Sequence, residues 1–188
     1  MPYIALTNMQ RPGIGGLLAF RPEPARPLLE LAEVILRGPN TLTTGERELI
    51  VTLVSSLNGC EWSRRVHGAF ASAQLSGGRS LVDQVCQDVD TAPVPEKLRA
   101  LLRLAAAVVR SGKAVTPDLV AAARQLGATD TEIHDTVLIA AAFCMFNRYV
   151  SGLGTVVPDD PAVYERLTGT LLSGGYLALG SVELPERG

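Results

Sequence analysis

The sequence predicts an all-α protein, and three observations carry that expectation. Apolar residues make up 47% of the 188, with Ala and Leu foremost, while aromatics are only 5%. That balance suits close-packed helices better than a β-sandwich. Apolar positions recur at helical spacing in one segment after another, and no run alternates convincingly with period two. Thr116-Pro117 and Asp160-Pro161 pair a cap residue with a proline, the pattern of a helix start.

Residues 1–23 are expected to form an irregular arm, because Pro2, Pro12, Pro22 and Pro24, with Pro27 just beyond, interrupt regular structure. Within the arm, Gly13-Ile14-Gly15-Gly16-Leu17-Leu18-Ala19-Phe20 is apolar and must find a surface, either on its own domain or on a partner subunit. From Pro27 on, Leu28, Leu31, Ala32 and Ile35 make one helix face, which Gly38-Pro39 ends. Thr43 or Thr44 caps the next helix, running through Glu46, Glu48, Leu49, Val51, Leu53 and Val54. Asn58-Gly59 breaks it. Another helix starts at Cys60 and continues to about Gln74, where Ser76-Gly77-Gly78 stops it. Further helices fit 80–88, 95–110, 116–125, 130–150 and 161–172. The expected division is the arm at 1–23, one helical domain at 24–175 and a tail at 176–188.

A shift of 84 residues lays Glu48 on Glu132, Thr52 on Thr136, Cys60 on Cys144, Arg64 on Arg148, Val66 on Val150 and Gly68 on Gly152. Either an alanine-rich chain matches itself by chance, or two copies of a helical hairpin pack about a pseudo-two-fold.

The bulk numbers exclude several classes. A net charge of −2 with mixed signs gives no basic footprint for nucleic acid. No run of 18 apolar residues lacks a charge, so no membrane-spanning helix is expected, and Met1 to Arg11 does not read as a signal peptide. Three widely spaced cysteines, Cys60, Cys86 and Cys144, fit a reducing cytoplasm better than a disulfide scaffold. A mean hydropathy of +0.21 points to surplus apolar surface and hence to a subunit interface.

The segment Asn58-Gly59-Cys60-Glu61-Trp62-Ser63-Arg64-Arg65-Val66-His67 holds the candidate chemistry. It reads as Cys-x-x-Cys-x-x-x-His with Ser63 in place of the second cysteine. With Cys60 in the first helical turn, Ser63, Arg64 and His67 follow at i+3, i+4 and i+7 on one face. The helix N-terminus, Arg64 and a protonated His67 would all favour a thiolate at Cys60. Glu48 lies on the preceding helix, and if the two helices run antiparallel its carboxylate reaches His67 and orients the imidazole. The plainer reading is a small buried cysteine, a hydrogen-bonded histidine and solvent-facing arginines. His67 and His134 are too far apart in sequence for a metal cluster, so no metal or other cofactor is expected.

From Glu46-Arg47-Glu48-Leu49-Ile50 through Leu57-Asn58-Gly59-Cys60 to His67-Gly68, the chain resembles the carboxymuconolactone decarboxylase and alkylhydroperoxidase D superfamily, and its peroxidase-related branch in particular. The later block Phe146-Asn147-Arg148-Tyr149-Val150-Ser151-Gly152-Leu153-Gly154 shares the resemblance, which spans most of 24–172. The resemblance implies an all-helical fold that assembles into dimers, trimers or hexamers. In the family's peroxidases a Glu and a His relay protons to the cysteine pair, the second cysteine attacks the peroxide and the first resolves the sulfenic acid. By position, Glu48 and His67 match the relay, Cys60 matches the resolving cysteine, and Ser63 stands where the attacking cysteine belongs.

Three functions follow. One is thiol redox chemistry on peroxide through Cys60 alone, with an external thiol reductant. The second is a non-redox lyase, isomerase or hydrolase acting on a small organic acid or lactone, with Ser63, His67 and Glu48 as the reacting set and Arg64 holding a carboxylate. The third is a non-catalytic oligomer whose pocket, lined by Trp62, Phe70 and Phe146, takes a ligand or partner.

Overall fold

The computed structural model of the chain describes residues 1–6 and 11–179. Among these, nine α-helices and no strand are present. They are α1 (Gly13–Phe20), α2 (Pro22–Arg37), α3 (Thr44–Leu57), α4 (Glu61–Gln74), α5 (Gly78–Gln87), α6 (Glu96–Arg110), α7 (Pro117–Gln125), α8 (Asp130–Gly152) and α9 (Pro161–Leu179). No helix of the described residues is long and apolar enough to cross a membrane.

The bundle is organised around α3. Every residue from Arg47 to Ser55 is buried, the polar Arg47, Glu48, Thr52 and Ser55 among them, because the helix is packed on several sides. It is flanked by α4, α6 and α8. Thr43 starts it with a reciprocal cap: Thr43 Oγ1 accepts from the Glu46 N–H, and Glu46 accepts from the Thr43 N–H at 2.8 Å. Thr129 and Glu132 begin α8 the same way. Buried Arg47 donates to the Gly38 carbonyl at 2.9 Å and the Ile35 carbonyl at 3.3 Å, satisfying the open C-terminal end of α2.

Two boundaries differ from the sequence reading, for reasons of backbone chemistry. Residues 13–20 of the expected arm are helical, and α2 begins at Pro22 rather than Pro27. Pro22 and Pro24 lie in the first turn, where no intrahelical N–H bond is due, so neither opposes the helix. Pro27 sacrifices one bond, to the Glu23 carbonyl, in the second turn. The apolar segment packs on its own chain: the Gly13 N–H donates to the Val156 carbonyl at 3.0 Å, and the Tyr3 N–H to the Leu153 carbonyl at 3.0 Å. At the other end, α9 continues to Leu179 through a bend at Gly175 (φ 72°, ψ −169°). Residues 176–179 of the expected tail therefore belong to the bundle, while 180–188, like 7–10 of the arm, lie outside the described residues.

The hairpin repeat is not formed. Gly59 turns the chain with φ +66° and separates α3 from α4. The positions that match Asn58-Gly59 after the shift of 84 are Ala142-Phe143, which continue one 23-residue helix, α8. Without a residue that favours positive φ, the second copy runs straight on.

Candidate active site

The turn after α3 folds α4 back along it, and this sets the distance between Glu48 and His67. Cys60 is the N-cap of α4 rather than part of its first turn, and its N–H donates to the Ser55 carbonyl at 3.0 Å. His67 Nδ1 then meets Glu48 Oε2 at 2.8 Å. Both residues are buried, Glu48 to 1% exposure and His67 to 7%. The imidazole is packed edge-on against Phe143 (4.8 Å between centroids) and Phe70 (5.5 Å).

A third residue completes the cluster. Tyr176, beyond the bend in α9, donates its hydroxyl to Glu48 Oε1 at 2.5 Å and lies 3.3 Å from His67 Nδ1. Its ring stacks on the imidazole at 6.2 Å and 20°. Burial first, and then the adjacent Glu48 charge, push the Tyr176 phenol far above its ordinary value of 10, so it stays a donor. As a carboxylate, Glu48 only accepts, so its two partners fix the His67 proton on Nδ1 and leave Nε2 as the nitrogen available for chemistry.

Ser63 and His67 open onto an apolar cavity of about 100 Å³. Ile14 and Leu18 of α1, Leu28 of α2, Trp62 of α4 and Phe146 of α8 contribute to its wall, with Arg11 as a charged member. Trp62 is wedged under α1, where a Cβ on Gly13 would overlap its ring. The volume is well below the ~300–1,000 Å³ of drug-sized sites, so the cavity suits a molecule of a few heavy atoms.

The structure thus brings together Glu48, Ser63, His67, Trp62 and Phe146. It does not bring Cys60 to the cavity wall. The thiol is 1% exposed and sits behind Ser63, its S–H donating to Ser63 Oγ at 3.4 Å. No hydrogen bond joins Ser63 to His67 among the described residues, so the Ser–His–Glu chain the spacing invited is not assembled.

Arg64 is also elsewhere. Rotation of about 100° per residue carries it around α4 away from Ser63, into an open cleft that it shares with Arg65, Arg79 and Tyr164. There it is bound to Glu61 by bonds of 2.8 and 2.9 Å. The Arg64 bond, aided by Arg65, holds the Glu61 carboxyl down at about 2. The three cysteines are unpaired: Cys144 accepts from Asn58 Nδ2 at 3.4 Å, and burial raises the Cys86 thiol. Among the described residues no three His, Cys, Asp or Glu side chains converge, so no metal-ligand set can be named.

Tyr176 and Phe143 were not foreseen as site residues. No spacing rule ties residue 143 or residue 176 to residues 48 and 67.

No protein-family model matches the sequence, and no curated protein matches it. Solved structures do. An uncharacterized peroxidase-related protein from Silicibacter sp. TM1040 superposes with a TM-score of 0.72 at 27% identity, over 79% of this chain and 77% of its own. The alkylhydroperoxidase AhpD core of an uncharacterized peroxidase-related protein from Ralstonia eutropha JMP134 superposes with a TM-score of 0.72 at 29% identity, over 80% of this chain and 78% of its own. The chain belongs to the alkylhydroperoxidase D-like superfamily. In this alkylhydroperoxidase D-like protein, the Glu and His expected from the resemblance are in contact, and a serine faces the cavity three residues after the cysteine.

Proposed function

We propose that this alkylhydroperoxidase D-like protein is a proton-transfer enzyme, a lyase or isomerase acting on a small lactone or organic acid, with His67 as its acid–base group. One observation carries the reading: Ser63 and His67 line the cavity, and Cys60 does not. His67 Nε2 takes a proton from the carbon next to a carbonyl. The electron pair moves onto the carbonyl oxygen, and the proton is returned at another carbon conjugated with the enolate, which completes an isomerisation. In the lyase case, loss of CO2 from a carboxylate on the carbon next to the carbonyl leaves the same enolate, and His67, protonated from solvent, delivers a proton to the carbon that the CO2 has left. Glu48 stabilises the imidazolium formed in between. Ser63 accepts from Cys60, which leaves its own O–H to donate to the carbonyl oxygen. The apolar wall takes the substrate body, and a substrate carboxylate would turn to Arg11 rather than to Arg64.

The test needs no knowledge of the natural substrate. Small lactones and oxo acids are incubated with the enzyme in D2O, and deuterium uptake next to the carbonyl is followed by proton NMR. Uptake should occur with wild type and Cys60→Ala and vanish with His67→Gln. Uptake that survives His67→Gln, or that requires Cys60, sinks the reading.

A second reading is supported by the 3.4 Å contact between the Cys60 sulfur and Ser63 and by the peroxidase-related neighbours. Here Cys60 reduces a hydroperoxide to the alcohol and becomes a sulfenic acid, which two equivalents of external thiol return to the thiol. One sulfur cannot complete the two-cysteine cycle, and peroxide would have to pass Ser63. Hydroperoxide consumption with dithiothreitol separates the readings: the first expects an inert wild type and activity only in Ser63→Cys, the second expects consumption by wild type that is lost in Cys60→Ala.

We propose further that the chain self-associates through the outward face of α8 and works in a reducing cytoplasm, in line with its exposed apolar residues and unpaired thiols.

A further inference from the structure

We propose that Glu33, on α2 and outside the cavity wall, is a positioning residue that seats Tyr176 on Glu48 and thereby sets the His67 hydrogen bond. The proposal rests on the geometry of the Glu48–His67–Tyr176 cluster and on no particular reaction.

The bend in α9 is what brings the Tyr176 ring into the cluster, and Glu33 holds that bend from the neighbouring helix. At Gly175 the backbone leaves helical geometry (φ 72°, ψ −169°), a region that favours glycine. The Tyr176 N–H therefore lacks its place in a continuous helical ladder, and Glu33 Oε2 accepts it at 2.6 Å. The carboxylate is seated so close to the bend that a Cβ on Gly175 would lie 2.5 Å from Glu33 Oε2 and 2.9 Å from Oε1. Arg37, one turn on along α2, steadies the other oxygen at 3.6 Å. From that backbone anchor the Tyr176 side chain reaches inward, stacks on His67 and donates to Glu48. One carboxylate fixes the backbone of residue 176, and the other takes its hydroxyl. The glycine is required because the bend lies in a region of backbone geometry that favours glycine, and position 33 requires an acceptor oxygen on a side chain long enough to span from α2 to the N–H.

The test reads His67 directly. The chain has two histidines, and His134 is 72% exposed, so a slowly exchanging imidazole N–H resonance in the ¹⁵N-histidine-labelled protein reports the His67–Glu48 bond. Three variants separate hydrogen bonding from charge and from packing. Glu33→Gln loses the charge but keeps an acceptor oxygen of the same reach, and the His67 signal should stay at its wild-type position. Glu33→Asp keeps the charge but falls short by one methylene, and the signal should shift or broaden. Glu33→Leu should move it in the same direction. Tyr176→Phe should move it too, and adding Glu33→Asp to Tyr176→Phe should then change nothing more, because the two act in series.

The proposal is overturned if Glu33→Asp leaves the His67 resonance in place, if Glu33→Gln moves it as far as Glu33→Asp does, or if Glu33→Asp has the same effect with and without the Tyr176 hydroxyl. None of these outcomes depends on turnover, so the acid–base reading stands or falls separately on the deuterium-uptake experiment.

Discussion

The Tyr176 hydroxyl hydrogen-bonds Glu48 across 128 positions of sequence, joining the ninth helix to the third in the centre of the bundle. The same carboxylate holds His67 on its other oxygen. The acid–base cluster is therefore closed by a residue from the end of the chain, and the fold cannot complete its site until α9 has docked.

Loss of that hydroxyl should be felt at alkaline pH. The folded-state phenol lies far above 10, so the unfolded chain releases this proton first as pH rises. The stabilisation is complete below about pH 10 and is lost above it. In denaturant titrations, wild type should weaken steeply above pH 10, and Tyr176→Phe should weaken less steeply. Tyr164 is also raised by burial, so the comparison is the difference between the two proteins. At neutral pH, Tyr176→Phe should cost about 1–3 kcal/mol, because Glu48 is left with a buried oxygen unpaired. Equal alkaline slopes in the two proteins would contradict the prediction.

What the sequence revealed of this site follows the range of the rules that read it. Ser63 and His67 are four residues apart on one helix, and Asn58-Gly59 marks the turn that returns that helix to Glu48, so local spacing sufficed for all three. Arg64 was misplaced because the shared face was drawn too wide: one residue of rotation, about 100°, separates it from Ser63 and turns it into the other cleft. Pro22 and Pro24 read as breakers although first-turn prolines do not break helices. Tyr176 was out of reach: its contact with Glu48 depends on how α9 docks against α2 and α4, and on a bend at Gly175 that a Gly-Gly pair does not distinguish from a helix end.

Glu132, which the sequence shift matched to Glu48, serves stability instead. Burial favours its neutral form, but hydrogen bonds from Lys97, the Thr129 N–H and Thr41 outweigh this and hold the carboxyl at about 2 against an ordinary 4.5. A lowered carboxyl contributes stability that is present above about pH 4.5 and is lost as pH falls toward 2. Glu132→Gln should cost roughly 3 kcal/mol at neutral pH and should flatten the acid limb relative to wild type. Glu61 remains to give the variant some acid slope. A variant as stable as wild type at pH 7 would show that the Lys97 pair contributes nothing.

Trp62 is the only tryptophan, and it lies between α1 and the cavity, so its emission reports on both. Gly13→Ala places a methyl where the indole ring now sits. The ring must move, α1 must lift, and the cost should be about 1–3 kcal/mol, as for other overpacked sites. Wild-type emission should be blue-shifted, as for a buried indole, and Gly13→Ala should shift it to the red. Unchanged emission in the variant would mean that α1 does not seal the cavity over Trp62.

The outward face of α8 carries Leu138 at 38% exposure and Met145 at 45%, with Ala141 exposed between them at helical spacing. Leu57, half exposed at the end of α3, lies beside it, since its neighbour Asn58 bonds Cys144 on the same helix. An apolar stripe of this kind on a central helix gains from being covered, and the proposed self-association would cover it with a second copy of the chain. A charge on it should oppose that: Met145→Glu would bury a carboxylate against its symmetry mate, whereas Glu165→Gln, at an exposed position on α9, removes a charge from a different helix. Sedimentation should give a mass above one subunit for wild type and Glu165→Gln, and a shift toward the monomer for Met145→Glu with its helical signal intact. A wild type that sediments as a monomer at all concentrations would leave the stripe without this role.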